Sequence, residues 1–461
     1  MPAPLSAVHS SPPAPPPSAS WLAEQGRLPL AFMGLALAWL AAGAILLLVN
    51  PDLPTLPHAH PHVVAVTHAW LLGFFLTVAC GAVYQIAPVA LGVALAKERL
   101  AWWHLGLHAV GVIGMVVSFW YWDMAQVGHF GTVVAIGVGL YTRVLWVTVR
   151  RAQRPGLIAT SLLVSSVWLV LTVLMGLTFA ANRFWYFLPV DPLPLLRMHA
   201  HAGLAGFFVT LLQGVSFQLV PMFTLAEVRD WRWATRGFWI SQLALPALLL
   251  SLLLRSDWAA SILGAVFLAG MLCSAIALRQ VLTTRKKRAF GPGVGAFLGG
   301  TVLLLAAGGL GLALVWPGSQ LGSEGGGFSA MVYGLLVVLG GLLPCFTGMM
   351  GKIVPFLTWM RAYGPRVGRE PIPAASALGL TWVERAGLAL QFLAVAPLAV
   401  GAWRLSSSWV FAGACVLTLG VGLFLVNQLW TLRHLWRGPA RARARMPETP
   451  PQPSSHDYTD Y

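Results

Sequence analysis

Charged side chains are scarce in this sequence. Asp, Glu, Lys and Arg make up 9% of the 461 residues and hydrophobic residues 57%, and the mean hydropathy is +0.75. A soluble domain carries about 25% charged residues, so the composition predicts an all-α polytopic membrane protein surrounded by the lipid bilayer. The formal net charge of +15 comes from basic residues in short loops between apolar runs. We interpret these residues as topology signals and expect no nucleic-acid partner.

Cysteine is equally scarce. The four cysteines, Cys80, Cys273, Cys345 and Cys415, all fall within apolar runs, and the sequence contains neither a C-x-x-C pair nor the haem-attachment motif C-x-x-C-H. Neither a disulfide framework nor covalently attached haem is therefore expected. No soluble electron-entry domain is evident, so a redox role would need a separate electron donor or partner subunit.

Apolar runs long enough to cross a bilayer of about 30 Å occur twelve times. They predict one membrane domain over 29–435, flanked by disordered cytoplasmic tails at 1–28 and 436–461 that are rich in Pro. The predicted spans are 30–50, 63–95, 100–121, 126–149, 156–180, 197–225, 233–254, 258–283, 293–316, 328–360, 376–402 and 408–432.

Basic residues are concentrated in the loops that follow even-numbered spans, as in the run from Arg285 to Arg288. The positive-inside rule therefore predicts that both termini are cytoplasmic. Spans two, six and ten then begin at the periplasmic, outer side of the membrane. Histidines at the start of these spans are expected near the outer face.

One stretch occurs three times. His68–Pro88 reads H-A-W-L-L-G-F-F-L-T-V-A-C-G-A-V-Y-Q-I-A-P, and His201–Pro221 repeats its anchors at one constant offset. A weaker third copy follows after nearly the same interval, with Leu335 in place of the histidine. The copies head spans two, six and ten. They predict three groups of four helices around a pseudo-threefold axis, over about 30–150, 156–283 and 293–432.

The anchors common to the first two copies are Gly, Thr, Gly, Gln and Pro, in that order after the histidine and mostly four positions apart. On a regular α-helix they form one stripe roughly opposite the histidine. Small residues at this spacing predict a helix-packing surface, so the histidine is expected to face the interior of its group. The prolines predict kinks near the inner ends of the three helices.

His68 and His201 are the first candidates for chemistry. An ionisable side chain within an apolar span is costly and usually faces the bundle interior. Imidazole suits both haem iron and copper, and its recurrence at one depth favours a ligand role. The alternative is a neutral histidine that hydrogen-bonds to a neighbouring helix.

Other histidines are weaker candidates for metal binding. His199 points about 200° away from His201 on a regular helix, so the two are not expected to bind one ion. His58, His60 and His62 form H-A-H-P-H before span two, where an extended segment would place all three on one side as a copper or zinc tract. A solvated loop is the alternative. For His104, His108 and His129, packing or interface roles are favoured. Met331 and Tyr333 are placed where a third ligand would lie. Lys352 is expected to reach the interface.

This arrangement resembles the catalytic subunit of the haem–copper oxidase superfamily, which includes the large subunits of nitric oxide reductases. The pattern H-x4-G-F-F-x-T-x3-G-x3-Q-x2-P is most similar to divergent oxidase-like relatives and to NnrS-type twelve-helix proteins. The resemblance covers roughly residues 30–435. It implies a respiratory type of protein in a bacterial inner membrane.

In the family, a span-two histidine ligates the low-spin haem and a span-six histidine ligates copper, positions that His68 and His201 match. The family's span-seven histidine pair is absent from W-A-T-R-G-F-W-I-S-Q-L-A-L-P, and its span-ten pair is absent from F-S-A-M-V-Y-G-L-L. The resemblance therefore implies the scaffold with one or two ligands rather than a complete oxygen- or nitric-oxide-reducing centre.

Three hypotheses follow. The leading one is a membrane protein that binds haem b or copper through His68 and His201, for redox chemistry, sensing, or nitrosative or metal-stress handling. The second is a transporter or delivery protein for copper or haem, with H-A-H-P-H as its capture tract. The third is a cofactor-free structural subunit in which the histidines only pack.

Overall fold

The computed structural model describes residues 26–153, 155–189, 191–321 and 327–437. Within these ranges the chain forms helices and no strand, which confirms the predicted all-α polytopic class. The predicted tails, 1–28 and 436–461, lie almost entirely outside the described residues. Twelve helices in the described ranges are long and apolar enough to cross a membrane: Arg27–Val49, Pro61–Leu91, Glu98–Trp120, Met124–Val149, Leu157–Trp185, Pro192–Thr224, Arg232–Leu253, Asp257–Thr283, Gly291–Val315, Ser329–Ala362, Thr381–Arg404 and Ser407–Trp436.

The small-residue stripe packs against the first helix of its own group. A β-carbon on Gly206 would lie 2.7 Å from the ring of Trp168 in span five, and Gly73 faces Trp39 of span one in the same way. Glycine at these positions lets a large side chain reach the backbone of the neighbouring helix, which sets a short interhelical distance. The packing function predicted for the stripe is therefore present in the first two groups.

Three phenylalanines meet where spans two, six and ten converge. The ring centroids of Phe75 and Phe208 are 6.0 Å apart, and Phe346 lies 5.3 Å from the first and 5.8 Å from the second. All three rings are buried and meet edge to face, an arrangement that stabilises each pair by about 0.5–1.5 kcal/mol. Spans two, six and ten therefore contact one another through a shared aromatic cluster, in which Phe346 lies one turn beyond Leu342, the repeat equivalent of Phe75 and Phe208.

Spans two, six and ten are not regular α-helices, contrary to the geometry on which the predicted stripe was based. Directly after the histidine position each contains a π-helical segment, at Ala69–Leu76, Ala202–Val209 and Leu336–Leu342. A π-turn closes i→i+5 hydrogen bonds, so residues beyond it are rotated relative to an α-helical wheel. The three prolines lie inside α-helical segments that continue past them. The main irregularity of each span therefore lies upstream of its proline.

A polar side chain from the third helix of the group bonds to the end of the π-helical segment. In the first group, His108 Nε2 lies 3.1 Å from Leu72 O and 2.9 Å from Thr77 Oγ1. In the second group, the Gln242 amide donates to Thr210 Oγ1 at 2.8 Å. These bonds satisfy polar groups at a point where the α-helical hydrogen-bond ladder is interrupted.

Two further buried hydrogen bonds join the second and third helices of a group. His104 is fully buried, and its Nδ1 lies 2.9 Å from the Tyr84 hydroxyl. In the third group, Thr347 donates to Gln391 Oε1 of span eleven at 2.8 Å. In each group a buried polar side chain of the third helix thus bonds to the second helix, while His104 Nε2 and His108 Nδ1 have no partner among the described residues.

Candidate functional site

A cavity of about 400 Å³ lies among spans one to six and ten, at the end of the bundle where spans two, six and ten begin. Most of its lining side chains are aliphatic or aromatic, and among the described residues no Asp or Glu lines it. Each repeat contributes its histidine position and the position two residues earlier. We call this space the histidine cavity. The six positions are occupied by Val66, His68, His199, His201, Tyr333 and Leu335.

His68 presents an open ring nitrogen. Its Nδ1 lies 2.8 Å from the carbonyl oxygen of Val64, one turn earlier. Because a carbonyl only accepts, Nδ1 carries the proton and Nε2 keeps its lone pair. The ring packs on Phe119 of span three, with centroids 4.5 Å apart. Within the described parts of the chain Nε2 has no hydrogen-bond partner, so it is available to a ligand.

His201 has the same tautomer, but its second nitrogen is engaged. Nδ1 lies 2.8 Å from the Arg197 carbonyl oxygen, and the Tyr333 hydroxyl donates to Nε2 at 3.3 Å. The two rings are nearly parallel, at 17°, with centroids 5.9 Å apart. Tyr333 rests in turn on span nine, where a β-carbon on Gly311 would lie 3.1 Å from its Cε2. His201 therefore faces span ten.

His199 faces span five. Its ring centroid is 5.6 Å from that of Phe179, and a β-carbon on Gly176 would lie 3.1 Å from its Cε1. Its buried Nδ1 makes no hydrogen bond of normal geometry among the described residues, and the backbone of Thr172 lies beside the ring. His199 and His201 thus contact different helices, as their spacing predicted, although both line the cavity.

His58 and Arg197 lie at the wall of the cavity outside the helical core. Burial, and then the nearby Arg197 guanidinium, lower the pKa of His58 below its ordinary value. Asp191, on the same side, forms an ion pair with Arg255. Since no described carboxylate lines the cavity, Arg197 gives this wall a positive charge.

The predicted metal tract of His58, His60 and His62 rests on wrong geometry, because the segment is not extended. His60 caps span two: its Nδ1 accepts from the His62 backbone N–H at 3.3 Å. His62 lies in the first helical turn and stacks on Trp120, with centroids 4.1 Å apart. Pro61 starts the helix, as proline commonly does at the first helical position. Only His58 of the three lines the cavity.

The ligand atoms available in the cavity wall limit which metal ion or cofactor the cavity can hold. In the parts of the chain that the structure describes, no group of three or more His, Cys, Asp or Glu side chains is arranged to hold a metal ion. His68 Nε2 and the span-six imidazoles are the nitrogen donors of the cavity wall, together with His58. The site can therefore supply one or two axial imidazoles to a large apolar ligand, with a cation for an anionic group.

Sequence reasoning undervalued Tyr333 and Arg197. Tyr333 stands two positions before Leu335, just as His199 stands two positions before His201, so the repeat already placed the two at equivalent positions. Arg197 precedes His201 by one helical turn, which was visible as well. The hydrogen bond between Tyr333 and His201 depends on how span ten packs against span six, and local sequence does not report that.

A scan against protein-family models found no match, and a search of curated proteins found none either.

Proposed function

We propose that the chain is an integral membrane protein that binds haem b in the histidine cavity, for redox chemistry, sensing or nitrosative-stress handling rather than complete oxygen reduction. The observation that carries this proposal is that His68 and the two span-six histidines line one cavity. The chain would then be a divergent haem–copper oxidase-like protein that keeps the scaffold and a reduced set of ligands.

The donors and the walls favour haem over copper. A protein copper or zinc site needs three or four donors, and the described residues offer no such group. Haem iron needs one or two axial ligands, and the rest of the macrocycle needs apolar walls. The cavity has mainly apolar walls, Arg197 supplies a positive charge suited to a propionate, and the neutral His58 supplies a hydrogen-bond donor beside it.

The chain's own residues would bind, orient and shield the group. The bond from His68 Nδ1 to Val64 O fixes the ring and leaves Nε2 basic, the arrangement usual for metal-ligating histidines. The apolar walls would exclude water from the iron. Bound haem b would supply one-electron transfer. Electrons would come from a separate donor.

We infer that the histidine cavity faces the periplasm of a bacterial inner membrane, with both termini cytoplasmic. This orientation rests on the basic residues of the loops at the opposite end of the bundle, such as Arg285 and Lys286. Reporter fusions at the termini test it. A reporter active only in the cytoplasm should work at both ends, whereas a reporter active only in the periplasm at either end contradicts the orientation.

The direct test is a reduced-minus-oxidised spectrum of the purified protein, combined with metal analysis. A Soret band is expected, and His68→Ala should lose most of it. His129→Ala is the matched control, because His129 is exposed at the same end of the bundle and does not line the cavity.

Two other outcomes would contradict the proposal. Stoichiometric copper without haem would favour the transport or delivery protein. A stable, colourless and metal-free protein that takes up neither haem nor copper would leave the cofactor-free structural subunit.

A further inference from the structure

We infer that His199, and not His201, is the second imidazole of the haem site, because His201 is turned toward Tyr333 of span ten. The inference rests on the proposed function, since it assigns ligands to the haem b proposed above. It departs from the sequence interpretation, which ranked His201 first.

His68 and His199 face the same part of the cavity. Gly176 and Ala180 lie one turn apart on one face of span five. Gly176 receives the His199 ring, and Ala180 packs in one hydrophobic cluster with Phe119, the ring against which His68 rests. Both imidazoles therefore lie where the first and second groups of helices meet.

His201 lies on the other side of span six. Its ring is stacked on Tyr333, and its Nε2 accepts the phenolic hydrogen. Gly311 leaves just enough room for the tyrosine ring between spans nine and ten. His201 is thus committed to the third group of helices, whereas His199 is directed to the first.

This assignment rests on which helices the two imidazole rings contact rather than on the strength of the hydrogen bond to His201. The hydrogen bond from Tyr333 to His201 is long, at 3.3 Å. A neutral hydrogen bond is worth about 1 kcal/mol, so it would change the availability of His201 by only about fivefold. An axial imidazole must point its Nε2 at the iron that the first imidazole already binds. Of the two span-six imidazoles, His199 is the one that packs on span five, whose Ala180 shares a hydrophobic cluster with Phe119 beside His68.

The ligand assignment can be expressed in terms of equivalent positions in the repeats. The first repeat contributes its histidine position, His68, and the second contributes the position two residues earlier, His199. The third repeat places Tyr333 at that earlier position and Leu335 at the other. It therefore supplies no imidazole to the cavity and instead supplies the phenol that engages His201.

The test is a titration of the purified full chain with ferric haem b, in wild type and in single variants. Spin state is read from optical and electron paramagnetic resonance spectra, and the Kd from the titration. We expect a low-spin, bis-imidazole wild type. His68→Ala and His199→Ala should become high-spin, with a Kd weaker by roughly tenfold or more. Free imidazole should restore the low-spin spectrum of His199→Ala, which shows that this variant is folded. His201→Ala and Tyr333→Phe should keep the low-spin spectrum.

Three results would overturn the inference. A low-spin spectrum that is lost in His201→Ala but kept in His199→Ala would make His201 the ligand. A high-spin wild type would show that only one imidazole is bound. Both results leave the proposed function standing. A wild type that takes up no haem would overturn the inference and the proposed function together.

Discussion

Tyr333 occupies in the third repeat the position that His199 occupies in the second, and both side chains line the histidine cavity. In the first repeat this position holds Val66, which lines the cavity as well. One helix with one π-helical segment is thus used three times, with an aliphatic, an imidazole and a phenol at equivalent places. The shared backbone builds the cavity, and substitutions at these positions give its walls different chemistry.

The glycine stripe predicts a specific sensitivity to added volume. In Gly206→Ala the new β-carbon would lie 2.7 Å from Trp168, so one of the two helices must shift. Overpacking of this kind costs about 1–3 kcal/mol, more than the helix propensity that alanine gains. The thermal midpoint in detergent should fall. Gly128→Ala in span four is the control, because nothing lies within 4 Å of its β-carbon and its midpoint should not fall. Equal midpoints would contradict the packing role.

The hydrogen bonds at the π-helical segments predict a second sensitivity. Gln242→Leu keeps the approximate volume of the side chain but removes the bond to Thr210 and the bond from the Trp168 indole at 2.9 Å. Loss of stability of about 1–2 kcal/mol is expected, because buried polar groups lose their partners. The exposed Gln126→Leu is the control. If both variants unfold at the same temperature, the network does not stabilise the π-helical segment.

Much of the fold was predictable from local pattern. Apolar runs of about twenty residues gave all twelve spans, because only helices can satisfy their own backbone in lipid. The spacing of Gly73 and Gly81 gave the packing stripe. These features depend on composition and period, which a single sequence reports directly.

The π-helical segments and the site contacts were not predictable in the same way. A π-turn differs from an α-turn by one residue of hydrogen-bond register, and its stability depends on partners such as His108 and Gln242 from other helices. The same holds for the contact between Tyr333 and His201. The segment around His60 was expected to be extended because it contains prolines, although Pro61 starts a helix.

His58 predicts how stability depends on pH. Burial and Arg197 lower its pKa in the folded chain below the ordinary value of 6.5. As pH falls through the ordinary value, the unfolded chain therefore binds a proton that the folded chain does not, and stability falls. Above that value the effect vanishes. His58→Gln should lose less thermal stability than wild type between about pH 7.5 and pH 5.5. An identical or larger loss in His58→Gln would contradict the shift.

Arg197 predicts a preference for carboxylates. If it holds a propionate of haem b, wild type should bind haem b more tightly than haem b dimethyl ester, which has no charged carboxylates. A charge-assisted hydrogen bond is worth about 1.5–3 kcal/mol, so the ratio of the two Kd values should be roughly tenfold or more. Arg197→Gln should bring that ratio close to one. Arg183→Gln is the control, because Arg183 is exposed near the same end of the bundle and does not line the cavity. A ratio unchanged in Arg197→Gln would remove Arg197 from the site.

Lys352 replaces the glutamine that the first two repeats carry at Gln85 and Gln218. Its Nζ lies 3.8 Å from Oε1 of Glu384 in span eleven, whose side chain is only 9% exposed. A β-carbon on Gly351 would lie 2.8 Å from the same carboxylate oxygen, so the pair is held in a tight seam.

This geometry makes the two charges interdependent. Lys352→Met leaves the Glu384 carboxylate without its nearest cation and should lower stability, by less than the roughly 3–5 kcal/mol that breaking a fully buried pair costs, because Lys352 is partly exposed. Replacing both partners, as in Lys352→Met combined with Glu384→Gln, removes the uncompensated charge and should recover most of that loss. The thermal midpoints of both variants and of Glu384→Gln complete a double-mutant cycle. Additive effects of the two substitutions would mean that the charges do not interact. A double variant more stable than Lys352→Met alone would show that the lysine is needed chiefly to neutralise Glu384.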